Sequence, residues 1–149
     1  MGDFTPYLSQ YVHDYCAMLC SGLFLFGCHP DLFFQAASWN QETEAASRDI
    51  IACAKDLEIP LEVNGYGIRK APVGPPYGDR PPYPMKEFWS IANEEGIRVC
   101  CNSDAHILDV VAGKVIDGFP NECFQFASEV GLHYVDWNVE QGRICSEKN

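Results

Sequence analysis

Positive charge is scarce in this chain, where 10 Lys and Arg stand against 21 Asp and Glu, for a formal net charge of −11 at pH 7. Nucleic-acid binding draws its affinity from clustered Lys and Arg on phosphates, so this balance excludes a nucleic-acid partner. It also means that a site for an anionic phosphate has to be built locally, from a cation or a few convergent basic residues. Long apolar runs are missing as well. No stretch approaches the roughly 18 to 20 residues of a membrane helix, and no membrane association is expected. The segment from Met1 to Tyr11 has neither the basic flank nor the apolar stretch of a secretory signal, so the expected location is the cytoplasm. No C-x-x-C pair occurs among the 8 cysteines, which removes the support for a structural zinc ribbon or finger. They fall inside apolar stretches, with Cys16 and Cys20 one helical turn apart and Cys100 beside Cys101, and read as buried thiols in a reducing compartment. Cys28, beside His29, is a minor ligand candidate.

What is present is one domain's worth of chain, 149 residues with 47% hydrophobic and 21% charged, enough for a core if the chain closes it alone. A unit recurs along it. Thr5-Pro6 opens a helix that Gly22 closes, and Leu23-Phe24-Leu25-Phe26 follows as a buried-strand pattern. A second helix runs from Gln41 to Leu57, with Glu42 and Glu44 near its positive end, and feeds the strand Leu61-Glu62-Val63-Asn64. A third, Pro84 to Glu95 with Gly96 as its stop, leads to the strand Ile97 to Asn102. A fourth, Pro120 to Val130, leads to the strand Leu132 to Trp137. This spacing predicts an α/β fold of about four parallel strands with crossover helices.

Polar residues gather where each strand gives way to its loop, the rim on which parallel α/β folds build sites. His29 follows the first strand, Asn64 ends the second, and Asp104 and His106 follow the third. A D-x-H spacing past a strand can present a carboxylate oxygen and an imidazole nitrogen to Zn²⁺, Mn²⁺ or Fe²⁺. Taken alone it reads equally well as an Asp104 helix cap beside an ordinary loop histidine. Glu62 and Asn64 share one strand face by period two, Asn64 nearer the rim, and either could be purely structural. His13 and His133 match no ligand motif.

Three segments, taken in order, carry a family resemblance. Gly27-Cys28-His29-Pro30-Asp31 resembles the G-H-P-D strand end of histidinol phosphatases in the polymerase and histidinol phosphatase (PHP) superfamily. Leu61-Glu62-Val63-Asn64-Gly65-Tyr66-Gly67-Ile68-Arg69 resembles that family's L-E-x-N-x-x-G-x-R segment, and Ser103-Asp104-Ala105-His106 its closing S-D-A-H. The resemblance implies a partial (βα) barrel of the PHP type, with divalent Zn, Mn or Fe at its rim and a phosphate monoester, L-histidinol phosphate, hydrolysed by a metal-bound hydroxide. His29, Asp104 and His106 match its metal-ligand positions, and Asp104 and His106 are the catalytic candidates. Arg69 is the candidate phosphate clamp, because a planar guanidinium can grip two phosphate oxygens, with Lys70 its substitute and Asn64 a substrate-side neighbour.

The H-x-H strand that opens such domains has no counterpart, so residues 1–149 read as the C-terminal portion of a PHP domain, a fragment or a truncation. Several ligands are then missing, and hydrolysis by this chain alone is expected to be impaired. The alternative is a non-catalytic metal-binding or assembly protein that keeps half of the fold. An open half-barrel must also be covered, and a homodimer or a partner chain supplying the other half is expected.

Overall fold

A turn at Gly22, whose φ of 70° suits glycine, ends the first helix and sends the chain toward the sheet. That helix, α1 (Thr5–Cys20), buries Leu8, Tyr15 and Leu19 on one stripe. The computed structural model describes residues 5–106, 121–134, 139–140 and 143–144. After α1 come a 3₁₀ turn at Leu32–Ala36, α2 (Gln41–Asp56), strand β1 (Leu61–Asn64) and a short helix α3 (Gly65–Arg69). Helix α4 (Lys86–Glu94), strand β2 (Val99–Asn102), α5 (Asn121–Val130) and the two-residue strands β3 (Val139–Glu140) and β4 (Arg143–Ile144) complete them.

Local chemistry explains the best-formed pieces. Asn40 caps α2 through its Oδ1, which accepts from the N–H groups of Glu42 and Thr43, while Thr43 Oγ1 accepts from the Asn40 N–H. Such a reciprocal cap contributes about 1 kcal/mol. Ala46, Ile50, Ile51 and Ala54 then form the buried face of α2, which packs between α1 and α4. Phe33 and Phe34 of the 3₁₀ turn join Trp89 and Phe88 of α4 in the same core cluster.

The sheet differs from the expected four-stranded half-barrel. The structure is mainly helical, and among the described residues β1 and β2 alone form a parallel ladder, Leu61 opposite Val99 through Asn64 opposite Asn102. On one side the ladder is extended only by a single parallel bridge, Gly27 to Leu61, and on the other by Val99 to Tyr134. Leu23, Phe24 and Leu25 are not a buried strand; they are 81%, 48% and 49% exposed. The physical reason is that a strand exists through its ladder, and the run touches β1 only at its end. There Gly27 is pressed against Tyr15, Leu61 and Leu19, and a side chain would collide with the Tyr15 hydroxyl. Of the expected fourth strand, Leu132 and His133 are not in strand conformation, Tyr134 makes one bridge, and 135–137 lie outside the described residues, as does residue 120 at the expected start of α5. The β3–β4 pair is antiparallel, Val139 opposite Ile144, and forms a separate two-stranded sheet. Among the described residues no helix is long and apolar enough to cross a membrane.

Candidate functional site

The parallel register brings Asn64 and Asn102 side by side at the strand ends, with Glu62 one pleat below. Glu62 is 1% exposed, and a buried carboxylate is tolerable only when donors surround it. Its Oε2 accepts from the His29 backbone N–H at 2.9 Å and from Asn64 Nδ2 at 3.1 Å, and its Oε1 from Asn102 Nδ2 at 2.6 Å. Asn64 Nδ2 also donates to Asp104 Oδ2 at 3.0 Å, while Asn64 Oδ1 accepts from Tyr66 and Gly67 and so caps α3. Asn102 Oδ1 in turn accepts from the Asp104 N–H. One network thus ties the loop at His29, the end of β1, the end of β2 and the loop at Asp104.

Two residues of this rim sit in left-handed backbone that side chains rarely adopt, His29 at φ 28° and Asp104 at φ 48°. Asp104 uses its conformation to aim its carboxylate at Asn64 and its carbonyl at His106. His106 Nδ1 lies 2.7 Å from the Asp104 carbonyl oxygen and 3.8 Å from Asp104 Oδ1. A carbonyl only accepts, so Nδ1 carries a proton, and in the neutral ring Nε2 is then the nitrogen with the lone pair a ligand needs. The exposed His106 ring lies tilted against Tyr66, with centroids 4.2 Å apart and 33° between the planes. His29 is different: its Nδ1 is buried with no hydrogen-bond partner, and its ring faces Tyr83 at 6.1 Å. The loop that carries it is held from three sides. Tyr15 Oη donates to the Cys28 carbonyl, Tyr11 Oη to that of Pro30, and Asp31 Oδ2 accepts from Met85 N–H and Trp89 Nε1. Burial pushes the Asp31 carboxyl up to about 6, partly offset by those two donors.

Of the two basic candidates, Arg69 has its Nη2 donating to the Ser103 carbonyl at 2.8 Å, so part of the guanidinium holds the Asp104 loop in place. Lys70 carries its ammonium 4.9 Å from the Tyr66 ring centre and 5.0 Å from that of Tyr83. Tyr66 therefore lies between Lys70 and His106. Gly67 allows this arrangement, since a side chain there would run into Tyr83.

The rim fits a divalent metal only in part. Asp104 and His106 are adjacent and suitable in type, but among the described residues no three His, Cys, Asp or Glu side chains gather as a metal site. His29, Asp104 and His106 are joined through backbone and amides, not as one three-donor group. Cys28 is exposed, and its thiol is pushed up to about 11 by desolvation and by Glu62 and Asp104, which disfavours the thiolate a metal needs. His13 and His133 are exposed. Asn102 and Tyr66 went unassigned in the sequence reading. Aligning the two strand ends L-E-V-N and V-C-C-N would have marked Asn102 as the partner of Asn64. No model of a known protein family matches the chain, and no curated protein matches it.

Proposed function

We propose that this chain is one part of a metal-dependent phosphoesterase of the histidinol-phosphatase type, acting in the cytoplasm on a phosphate monoester, with L-histidinol phosphate implied by the resemblance. The observation that carries this reading is the hydrogen-bonded line Glu62, Asn64, Asp104, which links the three segments bearing the sequence resemblance. It commits a buried carboxylate and an amide to fixing the direction of one partly exposed aspartate. Ligand-gripping groups require such support, and ordinary surface loops do not. A divalent ion (Zn, Mn or Fe) at Asp104 and His106 would polarise a phosphoryl oxygen. Asn64 orients Asp104, the Nδ1–H bond of His106 directs Nε2 outward, and Lys70 rather than Arg69 offers its charge to the phosphate, because Arg69 is already engaged with Ser103. The free thiols among the described residues suit a reducing compartment.

The donor set falls short of a three-ligand site, so turnover needs donors from a second copy or another chain. The same shortfall favours a second reading, a metal-binding or assembly protein without hydrolysis. Both are tested by adding Mn²⁺ to the purified chain. Weak binding followed by electron paramagnetic resonance should fall about tenfold or more in Asp104→Ala and in His106→Ala. Under the first reading histidinol phosphate should be hydrolysed slowly, at a rate per chain that rises with chain concentration. Mn²⁺ binding indifferent to both substitutions would sink the site. Binding with no turnover at any chain concentration selects the second reading.

A further inference from the structure

Three thiols meet where α1 packs on α2, at a place the rim does not use. Cys16 and Cys20 stand one helical turn apart on the same face of α1, and Cys53 comes from the facing turn of α2. The two helices run alongside one another in the same sense. Leu8, Val12 and His13 share a hollow with Ala45, Ala46 and Asp49, and further along Cys53 Sγ lies 4.0 Å from the Cys16 carbonyl oxygen. In an α-helix that carbonyl accepts the N–H of the residue four positions on, here Cys20, and helical side chains lean back toward the N-terminus. Cys53 Sγ therefore sits beside the turn that joins the two α1 thiols. Its proton reports the closeness: burial pushes the Cys53 thiol up to about 12, and after burial the neighbours that raise it are Cys16 and Cys20.

The three differ in access. Cys20 is exposed, whereas Cys16 and Cys53 are half-buried. An oxidant arriving from solvent meets Cys20 first. Cys53 is a poor nucleophile toward a dissolved reagent, but it is held next to whatever forms on Cys20, and such proximity replaces a collision with a step inside one molecule.

We propose that Cys20 and Cys53 are an oxidisable pair, which hydrogen peroxide joins into a disulfide that staples α1 to α2. The Cys20 thiolate attacks one peroxide oxygen, the O–O bond breaks, and the other oxygen leaves as water once protonated, so that Cys20 becomes a sulfenic acid. The Cys53 sulfur then attacks the Cys20 sulfur; the S–O bond breaks, and the hydroxyl takes up the Cys53 proton and leaves as a second water. Each sulfur has lost one electron, and one peroxide has become two waters. The staple fixes the helix whose Tyr11 and Tyr15 hold the His29 loop.

The inference is independent of the phosphoesterase reading and is tested on the full chain without added metal. The protein, freed of reductant, is treated with hydrogen peroxide and digested with chymotrypsin, which cuts after Leu19 and so parts Cys16 from Cys20. Mass spectrometry should find Cys20 linked to Cys53, on a protein that still runs as one chain in non-reducing electrophoresis, and dithiothreitol should undo the link. Cys53→Ser should leave Cys20 as a sulfenic acid that dimedone traps. Cys20→Ser should slow the loss of the Cys53 thiol about tenfold or more, and Cys16→Ser should leave the link in place. A link from Cys53 to Cys16 in place of Cys20 overturns the proposal. So does Cys20 pairing only between chains, or full oxidation of Cys20 with the Cys53 thiol still free.

Discussion

Asn64 and Asp104, 40 residues apart in sequence, are joined by a 3.0 Å hydrogen bond from the Asn64 amide to the Asp104 carboxylate. The same amide nitrogen donates to Glu62, and the amide oxygen caps α3, so a single side chain holds a strand, a helix and a loop. Asn64→Ala should lower unfolding free energy by about 2–4 kcal/mol, through a lost cap and unpaired carboxylates. Asn64→Asp is the sharper test. It retains the capping oxygen but sets a third carboxylate against Glu62 and Asp104, so its deficit in urea midpoint should be larger at pH 7 than at pH 5. A deficit independent of pH would show that the amide is not the bridge.

Asp31 supplies a pH dependence of definite sign. Its carboxyl, held at about 6 in the folded protein against an ordinary 3.8, binds its proton more tightly folded than unfolded. Its stabilising contribution is therefore complete below about 3.8 and is lost as pH rises through about 6. The loss is on the order of 2–3 kcal/mol at most. Urea denaturation of the protein and of Asp31→Asn should show the difference between them shifting against the unaltered chain from pH 4 to pH 7. A constant difference would mean that the Met85 and Trp89 donors fully offset burial.

Thiol chemistry should rank the cysteines by surroundings. Burial pushes Cys101 and Cys123 up to about 12, and Cys123 Sγ is engaged with the Asn102 carbonyl. Cys28 is exposed but pushed up to about 11, and Cys20 is exposed. Iodoacetamide at pH 8 should label Cys20 ahead of Cys28, and Cys101 and Cys123 only in urea. Rapid labelling of Cys123 in the native protein, read by peptide mass spectrometry, would contradict the packing of α5 on β2.

The exposed run Leu23-Phe24-Leu25 should be covered in solution, and a second copy is the expected cover. Light scattering after size exclusion should give twice the chain mass of 16.7 kDa, with an interface above about 1,000 Å². Leu23→Glu should shift the mass toward one chain. A stable monomer of the unaltered protein would end this expectation.

The helices were legible because their signals are local. The acidic first turn and apolar face of α2, or Gly96 and Gly131 at helix ends, need no distant partner to act. Strands were legible only where a ladder partner exists. Leu61–Asn64 pairs along its length with Val99–Asn102, whereas Leu23–Phe26, the more apolar run, is followed by one bridge at Gly27 and leaves Leu23, Phe24 and Leu25 exposed. The helix α3 was missed because Asn64 ends a strand and caps a helix at once, and two glycines in G-Y-G read as loop. At the rim, the D-x-H spacing puts Asp104 beside His106, since two residues of chain dictate that nearness. It did not bring in His29, whose loop is held by Tyr11 and Tyr15 of α1 and, through Asp31, by Met85 and Trp89 far along the chain.

His29 and Asp104 keep their side chains at φ 28° and 48°, where glycine would be the cheaper occupant. Exchange for glycine would relax both turns while erasing the imidazole and the carboxylate. Selection for stability alone, as by repeated heating of a mutant library, should therefore drift toward glycine at these two positions. A sturdier protein with a blank rim would emerge; Glu58, at φ 55°, should drift with them, but of the three only His29 and Asp104 lie at the rim, and they mark where this chain trades backbone comfort for chemistry.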